Sequence, residues 1–368
     1  MKIDRIDVYL VAMPLISPWR TAYGSDPEVH SVLVKATSGD HIAWSESTPL
    51  YAPTYLTESA GGAYYHVSEL FGPHVVGWEY ETAREVSDRL AVFKGNSFAK
   101  AAIEISWWTL QSVMTGTPLH RLLGGETREV AAGADFGILD SIDDLMSDIQ
   151  GAVDAGFPRV KLKVARGWDA DIVRAAVQTF PGMTFHIDCN SGYTLDDLPM
   201  FKEIDKFGLA FIEQPLNYAD VLDHAELARQ IETPVCLDES VVSVKVAEQA
   251  IRVGACKYIN IKPGRVGGLS NAIAIHDMAR DAGVPVWVGG MLESAVGGAI
   301  CIELATLANF TYPGDLLPSS RFYLQDLAEP PTQFTDRKTF VPYAGALPAP
   351  DAQRLKKLTV RSKVVVPR

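Results

Sequence analysis

Short β-branched runs recur along the middle of the chain at an almost constant interval, and that interval limits the fold more than any other feature. The runs are "VKLK" ending at Lys163, "TFHID" at Asp188, "LAFIE" at Glu213, "PVCLD" at Asp238 and "YINIK" at Lys262, so successive ends lie 25, 25, 25 and 24 residues apart. The next step falls on "PVWVGG", Pro285 to Gly290, and the preceding one on "VAAGADFGI", Val130 to Ile138. A strand, a loop, a helix and a second loop fit into about 25 residues, so this is the pulse of repeated βα units. The segments between, such as "DADIVRAAVQTF", "DVLDHAELARQI", "VKVAEQAIRVG" and "LSNAIAIHDMARDAG", carry apolar residues at helical spacing. Repetition of such units predicts an α/β fold closed into a parallel barrel of TIM type. An open, doubly wound sheet would need a glycine-rich nucleotide turn after its first strand, and none is present.

The N-terminal residues do not share this period. "IDRIDVYLVAMPL" and "SVLVKATSG" read as strands of an antiparallel sheet, and "YETAREVSDRLAVF" and "SFAKAAIEISWWTLQSVMTG" as helices. The organisation expected is an α+β capping domain over 1–125, a barrel over 126–325 and a C-terminal segment, 326–368, packing back on the cap. Turn residues and aromatics in "SPWRTAYGS" and "TPLYAPTY" predict two lid loops, near 16–25 and 47–56.

Composition narrows the functional classes. Net charge is -12, which argues against nucleic acid and anionic membrane as partners. "MKIDRIDVYLVAMPL" lacks the long apolar core of a signal peptide, and no run of eighteen apolar residues occurs, so a cytoplasmic protein is expected. Cys189, Cys236, Cys256 and Cys301 are widely spaced with no CxxC pair, a pattern of reduced thiols rather than a zinc site or disulfide framework.

Chemistry in a barrel of this kind lies at the C-terminal ends of the strands. Those ends carry Lys163, Asp188, Glu213, Asp238 and Lys262 in order. Three carboxylates from consecutive strands converge on one volume and repel one another unless a cation sits among them. Oxygen-only ligands suit a hard divalent ion, Mg²⁺ first and Mn²⁺ as its substitute. The competing reading, three separate polar caps on three strands, does not account for their consecutive register or for the flanking lysines. Lys163 and Lys262 would face each other across the metal, with burial and nearby positive charge lowering their pKa from about 10.4 toward about 7–8. A carboxylate between them would lose the proton of its neighbouring carbon, the metal stabilising the enediolate. Lys161 shares the strand face of Lys163, one pleat deeper. It reads equally as a group that holds anions and as a structural ion pair.

Taken in order, "KLK", "DCN", "EQP", "DES", "NIKPGRVGG", "GGMLES" and "LANFTYPGD" resemble the enolase superfamily, muconate-lactonising subgroup. Within it they look most like the N-succinylamino acid racemase / o-succinylbenzoate synthase branch. The resemblance covers nearly the whole chain and implies a modified TIM barrel, (β/α)7β, under an α+β cap. It implies Asp188, Glu213 and Asp238 as Mg²⁺ ligands and Lys163 and Lys262 as the acid/base pair of a racemase or of a syn-dehydrating lyase. It further implies that Arg265 tunes Lys262, that Asn190 touches substrate or a metal-bound water, and that Met291 borders the substrate. Arg20, Tyr23 and Tyr55 would reach the substrate from the lids, or serve only loop packing. Glu293 would bond near the reaction centre or cap its own loop, and His186 reads as a core residue of the barrel. The partner implied is a small-molecule carboxylate, bound by a homo-oligomer, dimeric or octameric as relatives of the fold commonly are.

The sequence departs from the branch's pattern at Asp135, where Ser is usual, at Ala295 for Gly, at Ser320 for Asp, and in "AWSE" for "GWGE". Asp135 would repel a succinyl carboxylate and favour a cationic group. The methyl of Ala295 would block close approach of substrate to the backbone. Cycloisomerisation, dehydration or epimerisation of another carboxylate, including one cationic at nitrogen, therefore stays open. So do a Schiff-base lyase and a carboxylate-binding barrel without catalysis.

Overall fold

The computed structural model describes residues 1–367. Its N-terminal part is built on a four-stranded antiparallel sheet in the order Thr359–Val365, Arg5–Thr21, Gly24–Ser38, His41–Ser47. Side chains alternate between the faces of a strand, which puts Ile6, Val8 and Leu10 with Val32, Val34 and Ala36. These bury against Ala99, Ile103 and Leu110 of the helix Ser97–Thr115. The opposite face carries Val11, Met13, Val29 and Leu33, packed with Ala295 and Val296 at the start of a barrel helix. Both faces of the sheet are thus covered, and one of them is fastened to the barrel.

The first expected lid takes a different form. Arg5–Thr21 and Gly24–Ser38 make one long hairpin, so residues 16–25 are strand and hairpin tip rather than loop. Pairing lapses between Pro14 and Trp19 and resumes from Trp19↔Asp26 to Thr21↔Gly24. Pro14 and Pro18 have no N–H to donate to the ladder, which accounts for the gap. The second lid is made of bends and turns beyond His41–Ser47.

Seven parallel strands follow, in the order Ala134–Phe136, Arg159–Lys163, Thr184–Asp188, Ile212–Glu213, Val235–Leu237, Tyr258–Ile261 and Val286–Val288. Helices such as Ala170–Thr179, Val244–Val253 and Leu269–Asp281 cover the outside. Ser141 and Ser243 cap the helices Ile142–Asp154 and Val244–Val253 by accepting from Asp144 N and Val246 N. The eighth stave is the stretch 310–314, bridged to Val286 at Phe310 and to Ala132 at Gly314. Pro313 within it cannot donate, so it closes the barrel without becoming a full strand.

Alternation along each strand sorts the two faces. Val160, Leu162, Ile187, Ile212, Leu237 and Ile261 point outward into the core shared with the helices. The lumen is layered. Phe211, Cys236 and Trp287, with Tyr258 and Tyr312, plug one level, and His186 stacks on Phe211 at 4.3 Å while its Nδ1 meets the Tyr312 hydroxyl at 2.9 Å. Arg159 and Lys161 converge on Asp315. The strand-end groups lie beyond that. Cys189, Cys236, Cys256 and Cys301 are unpaired and buried. No helix among the described residues is long and apolar enough to cross a membrane.

Candidate active site

Alternation aims Lys161 and Lys163 into the lumen together, and the same rule brings in Asp188, Glu213, Asn260 and Lys262 from the neighbouring strands. Lys163 Nζ donates to Asp188 Oδ2 at 2.6 Å. Lys262 Nζ donates to Asp238 Oδ2 at 2.9 Å and to the Tyr55 hydroxyl at 3.1 Å, lying 4.4 Å from the centre of the Tyr55 ring. Tyr55 in turn donates to Asp238 Oδ1 at 3.0 Å. Arg265 is fully buried, ion-paired with Asp238, and donates to Tyr55 at 3.1 Å and to the Val241 carbonyl at 3.0 Å. Asn190 N–H donates to Asp188 Oδ1 at 2.9 Å, and Asn190 Nδ2 to Glu239 Oε1 at 3.2 Å.

One small cavity, about 40 Å³, is lined by Lys163, Lys262, Asn190, Tyr23, Tyr55, Asp135, Lys161 and Met291 together with Trp19 and Asp26. The second and sixth barrel strands supply its two lysines, from opposite sides of the barrel. Other sequence candidates lie elsewhere. Arg20 turns away and pairs with Asp140 at 2.5 Å on the surface. Glu293 accepts from Met291 N at 2.8 Å, capping its own loop, and burial pushes its carboxyl up to about 7. Lys161 takes the structural-pair reading in part: it bonds Asp315 and lies 3.3 Å from Asp135 and 3.6 Å from Asp188. The Ala295 methyl sits in the apolar cluster under the cap sheet, and Ser320 is exposed. Neither borders the cavity, which corrects the expected block at Ala295.

The lysines answer to the carboxylates around them. Burial is the largest influence on Lys163 and pushes it down, but Asp188, Asp135 and Glu213 together outweigh it and hold the ammonium above its ordinary value. Lys262 is held up in the same way, its burial overcome by Tyr55, Glu239 and Glu213. The carboxylates answer oppositely to one another. Lys163 and Lys161 hold Asp188 below the usual range despite burial. Burial and then the charge of Asp188 push Glu213 and Glu239 each up to about 7.

Three functional-looking residues were not foreseen. Glu239 follows the strand Val235–Leu237, past the point where alternation governs, and turns inward to Asn190. Asn260 donates to Glu213 Oε1 at 2.6 Å; its place two residues before Lys262 on the lumen face was a readable signal. Asp315 lies beyond the closing stave, where no periodicity points to it.

As placed, Lys163 and Lys262 bridge the carboxylates directly, and among the described residues no three His, Cys, Asp or Glu side chains form a ready ligand group. The donor chemistry nevertheless fits a hard divalent cation. Glu213 Oε2, Glu239 Oε2 and Asn190 Oδ1 are buried oxygens without a hydrogen-bond partner, and such atoms are costly unless something positive or a donor meets them.

Residues 144–345 match the family described as Enolase C-terminal domain-like, more than half of the chain. The chain belongs to the enolase superfamily. This enolase-superfamily enzyme is 40% identical over 351 residues to the N-succinylamino acid racemase of an Amycolatopsis species, covering 95% of this chain and 93% of that one. It is 38% identical over 331 residues to the o-succinylbenzoate synthase of Bacillus subtilis (strain 168), covering 90% and 89%. Among solved structures, an enolase-superfamily member from Listeria innocua Clip11262 superposes with a TM-score of 0.95 at 31% identity, covering 100% of this chain and 99% of that one. The superfamily and branch expected from the motifs are those of these relatives, and the barrel-plus-cap architecture is theirs.

Proposed function

We propose that this enolase-superfamily enzyme removes the proton next to a carboxylate, with racemisation of an N-acylated (N-succinyl) amino acid or formation of o-succinylbenzoate as the reactions its relatives' names suggest. The observation that carries the reading is a pair of buried lysines from opposite barrel strands on one small cavity beside a carboxylate cluster. Asp188, Glu213 and Asp238, with Glu239 beside them, would hold Mg²⁺ (or Mn²⁺), whose charge offsets these carboxylates and stabilises a dianionic enediolate. Lys163 takes the α-proton from one face of the substrate. Lys262 returns a proton on the other face in racemisation, or acts by charge alone when a leaving group departs. Arg265 and Tyr55 hold Lys262 and Asp238 in place, Asn190 orients Asp188 and Glu239, and Met291 and Tyr23 wall off water. With a divalent cation holding Asp188 and Asp238, Lys163 and Lys262 would be released from those carboxylates to exchange protons; a Schiff-base route has no use for the carboxylate cluster and is disfavoured.

We also infer that residues 1–125 and 326–368 act together as the cap over the 126–325 barrel. The cytoplasmic, homo-oligomeric reading rests on the family resemblance and the net charge of -12. The test is proton NMR in D₂O with Mg²⁺, following the α-proton of N-succinyl and N-acetyl amino acids, dipeptides and N-methylated prolines. Exchange lost on chelation and in Lys163→Ala supports the reading. Exchange of both enantiomers that survives Lys163→Ala, or none on any compound, sinks it.

A further inference from the structure

Asp135 is the middle residue of the first barrel strand, Ala134–Phe136, and is 7% exposed. One oxygen, Oδ2, lies 3.3 Å from Lys161. The other, Oδ1, is buried and has no hydrogen-bond partner. Burial, and then the neighbouring charge of Asp315, push this carboxyl up, so it is short of positive charge even with Lys161 nearby. Lys161 is shared among four carboxylates and is most tightly committed to Asp315.

Asp135 also stands at a junction. It lines the cavity of the two lysines, and it lines a larger groove of about 420 Å³ running beneath the hairpin arm from Leu15 to Arg20. The inner cavity, about 40 Å³, has room for little more than water, so the remainder of a substrate must pass Asp135 into that groove. The groove adds Asp140, Asp144 and Asp148 against Arg20 and Arg321, and Arg20 is already spent on Asp140. On the cavity side Asp26, from the hairpin, lines the wall together with the rings of Trp19 and Tyr23. Carboxylates and aromatic faces together form a receptor for a cation. A second carboxylate on the substrate would meet Asp135 and Asp26 as like charges, which is how a site rejects as well as selects.

We propose that Asp135 is the specificity-determining residue and that the substrate is a carboxylate bearing a cationic nitrogen, not one bearing a second carboxylate. The assignment rests on the proton-abstraction reading above, and it replaces the N-succinyl and o-succinylbenzoate substrates suggested by the relatives' names, each of which carries a second carboxylate. The cation sits either on the nitrogen side of the α-carbon, as the quaternary nitrogen of an N-methylated proline or the N-terminal amine of a dipeptide, or at the end of a side chain, as in N-acetylarginine or N-acetyllysine.

The experiment uses the full chain with Mg²⁺ in D₂O and compares those two cationic sets with N-succinylphenylalanine and N-acetylmethionine. Wild type is expected to exchange one cationic set with kcat/KM about tenfold or more above the N-succinyl compound. Which set responds tells the nitrogen-side from the side-chain source. Asp135→Asn should erase that preference mainly through KM, and Asp26→Asn should weaken it without touching the barrel. Binding gives a second readout independent of turnover. Calorimetry on Lys163→Ala should show the cationic ligand bound, and the bond lost in Lys163→Ala/Asp135→Asn. Equal or better exchange of the N-succinyl compound, or a preference unmoved by both substitutions, overturns the assignment. If nothing exchanges but the cationic ligand binds in an Asp135-dependent way, the proton-abstraction reading falls and the receptor stands. If neither happens, both fall.

Discussion

Asp315→Asn tests how the barrel lumen tolerates its lysines. Asp315 accepts from Arg159 Nη2 at 2.5 Å and from Lys161 Nζ, and each of the three side chains is less than a tenth exposed. Those two cations hold its carboxyl far below the usual range in spite of burial. Breaking a buried ion pair by removing one partner costs about 3–5 kcal/mol, because the remaining charge is left uncompensated. Here the loss is cushioned. Arg159 keeps the carbonyls of Pro313 and Ala134 at 3.0 Å, and Lys161 keeps Asp135 at 3.3 Å. The expected cost is therefore at the low end, about 3 kcal/mol, read from urea unfolding followed by tryptophan fluorescence and far-UV circular dichroism together. Replacing Lys161 with Met as well removes one stranded cation and should return about half of the loss, a coupling that a double-mutant cycle measures. A cost under about 1 kcal/mol for Asp315→Asn, or no recovery in the double variant, would show that Asp315 is not what neutralises the lumen.

Further outcomes are expected. His224 is buried and its pKa is depressed to about 4, chiefly by burial, so the folded state stays neutral where the unfolded chain takes up a proton. Stability from this group is intact above about pH 6.5 and falls by about 3 kcal/mol as pH drops to about 4; His224→Gln should flatten that slope in urea titrations at several pH values. Glu104 accepts from Leu269 N at 2.7 Å, Ser270 N at 2.9 Å and Trp108 Nε1 at 2.9 Å, tying the cap helix to the start of Leu269–Asp281. Glu104→Ala strands those buried donors and should cost about 3 kcal/mol in the same assay. A Cβ on Gly289 would meet the side-chain amide of Asn260 and, at 2.6 Å, Lys262 Cε. Gly289→Ala should lower turnover by about 100-fold with the circular dichroism spectrum unchanged, and near-wild-type turnover would remove Asn260 and Lys262 from the machinery.

Much of this was legible in the sequence because the barrel repeats. A lumen position every second residue and a strand every 25 residues place Lys163, Asp188, Glu213 and Lys262 without any tertiary information. What escaped lies where periodicity stops. The helix Ala295–Leu304 is buried on all sides, so "AVGGAICIEL" has no polar face to mark it. The eighth stave holds Pro313 and reads as a loop. The hairpin tip at 19–26 was obscured by its prolines. The lysine charges depend on how many carboxylates surround each ammonium, a count that requires Glu239 and Asp315 to be in view. Asp135 could be singled out by type and position, whereas its unpartnered oxygen is visible only in three dimensions.

The pairing of Thr359–Val365 with Arg5–Thr21 has a consequence for biosynthesis. Ile6 is opposite Val365 and Leu10 opposite Arg361, so the second neighbour of the first strand is made only after the whole barrel. Until then that strand is an open sheet edge, available to any other nascent chain. The barrel can assemble during synthesis, but the hairpin that roofs the lysines acquires its full support only once residues 359–365 have been made. Polypeptides cut short before residue 359 would carry the lysines and carboxylates beneath an unfinished roof, and would reveal themselves by aggregating.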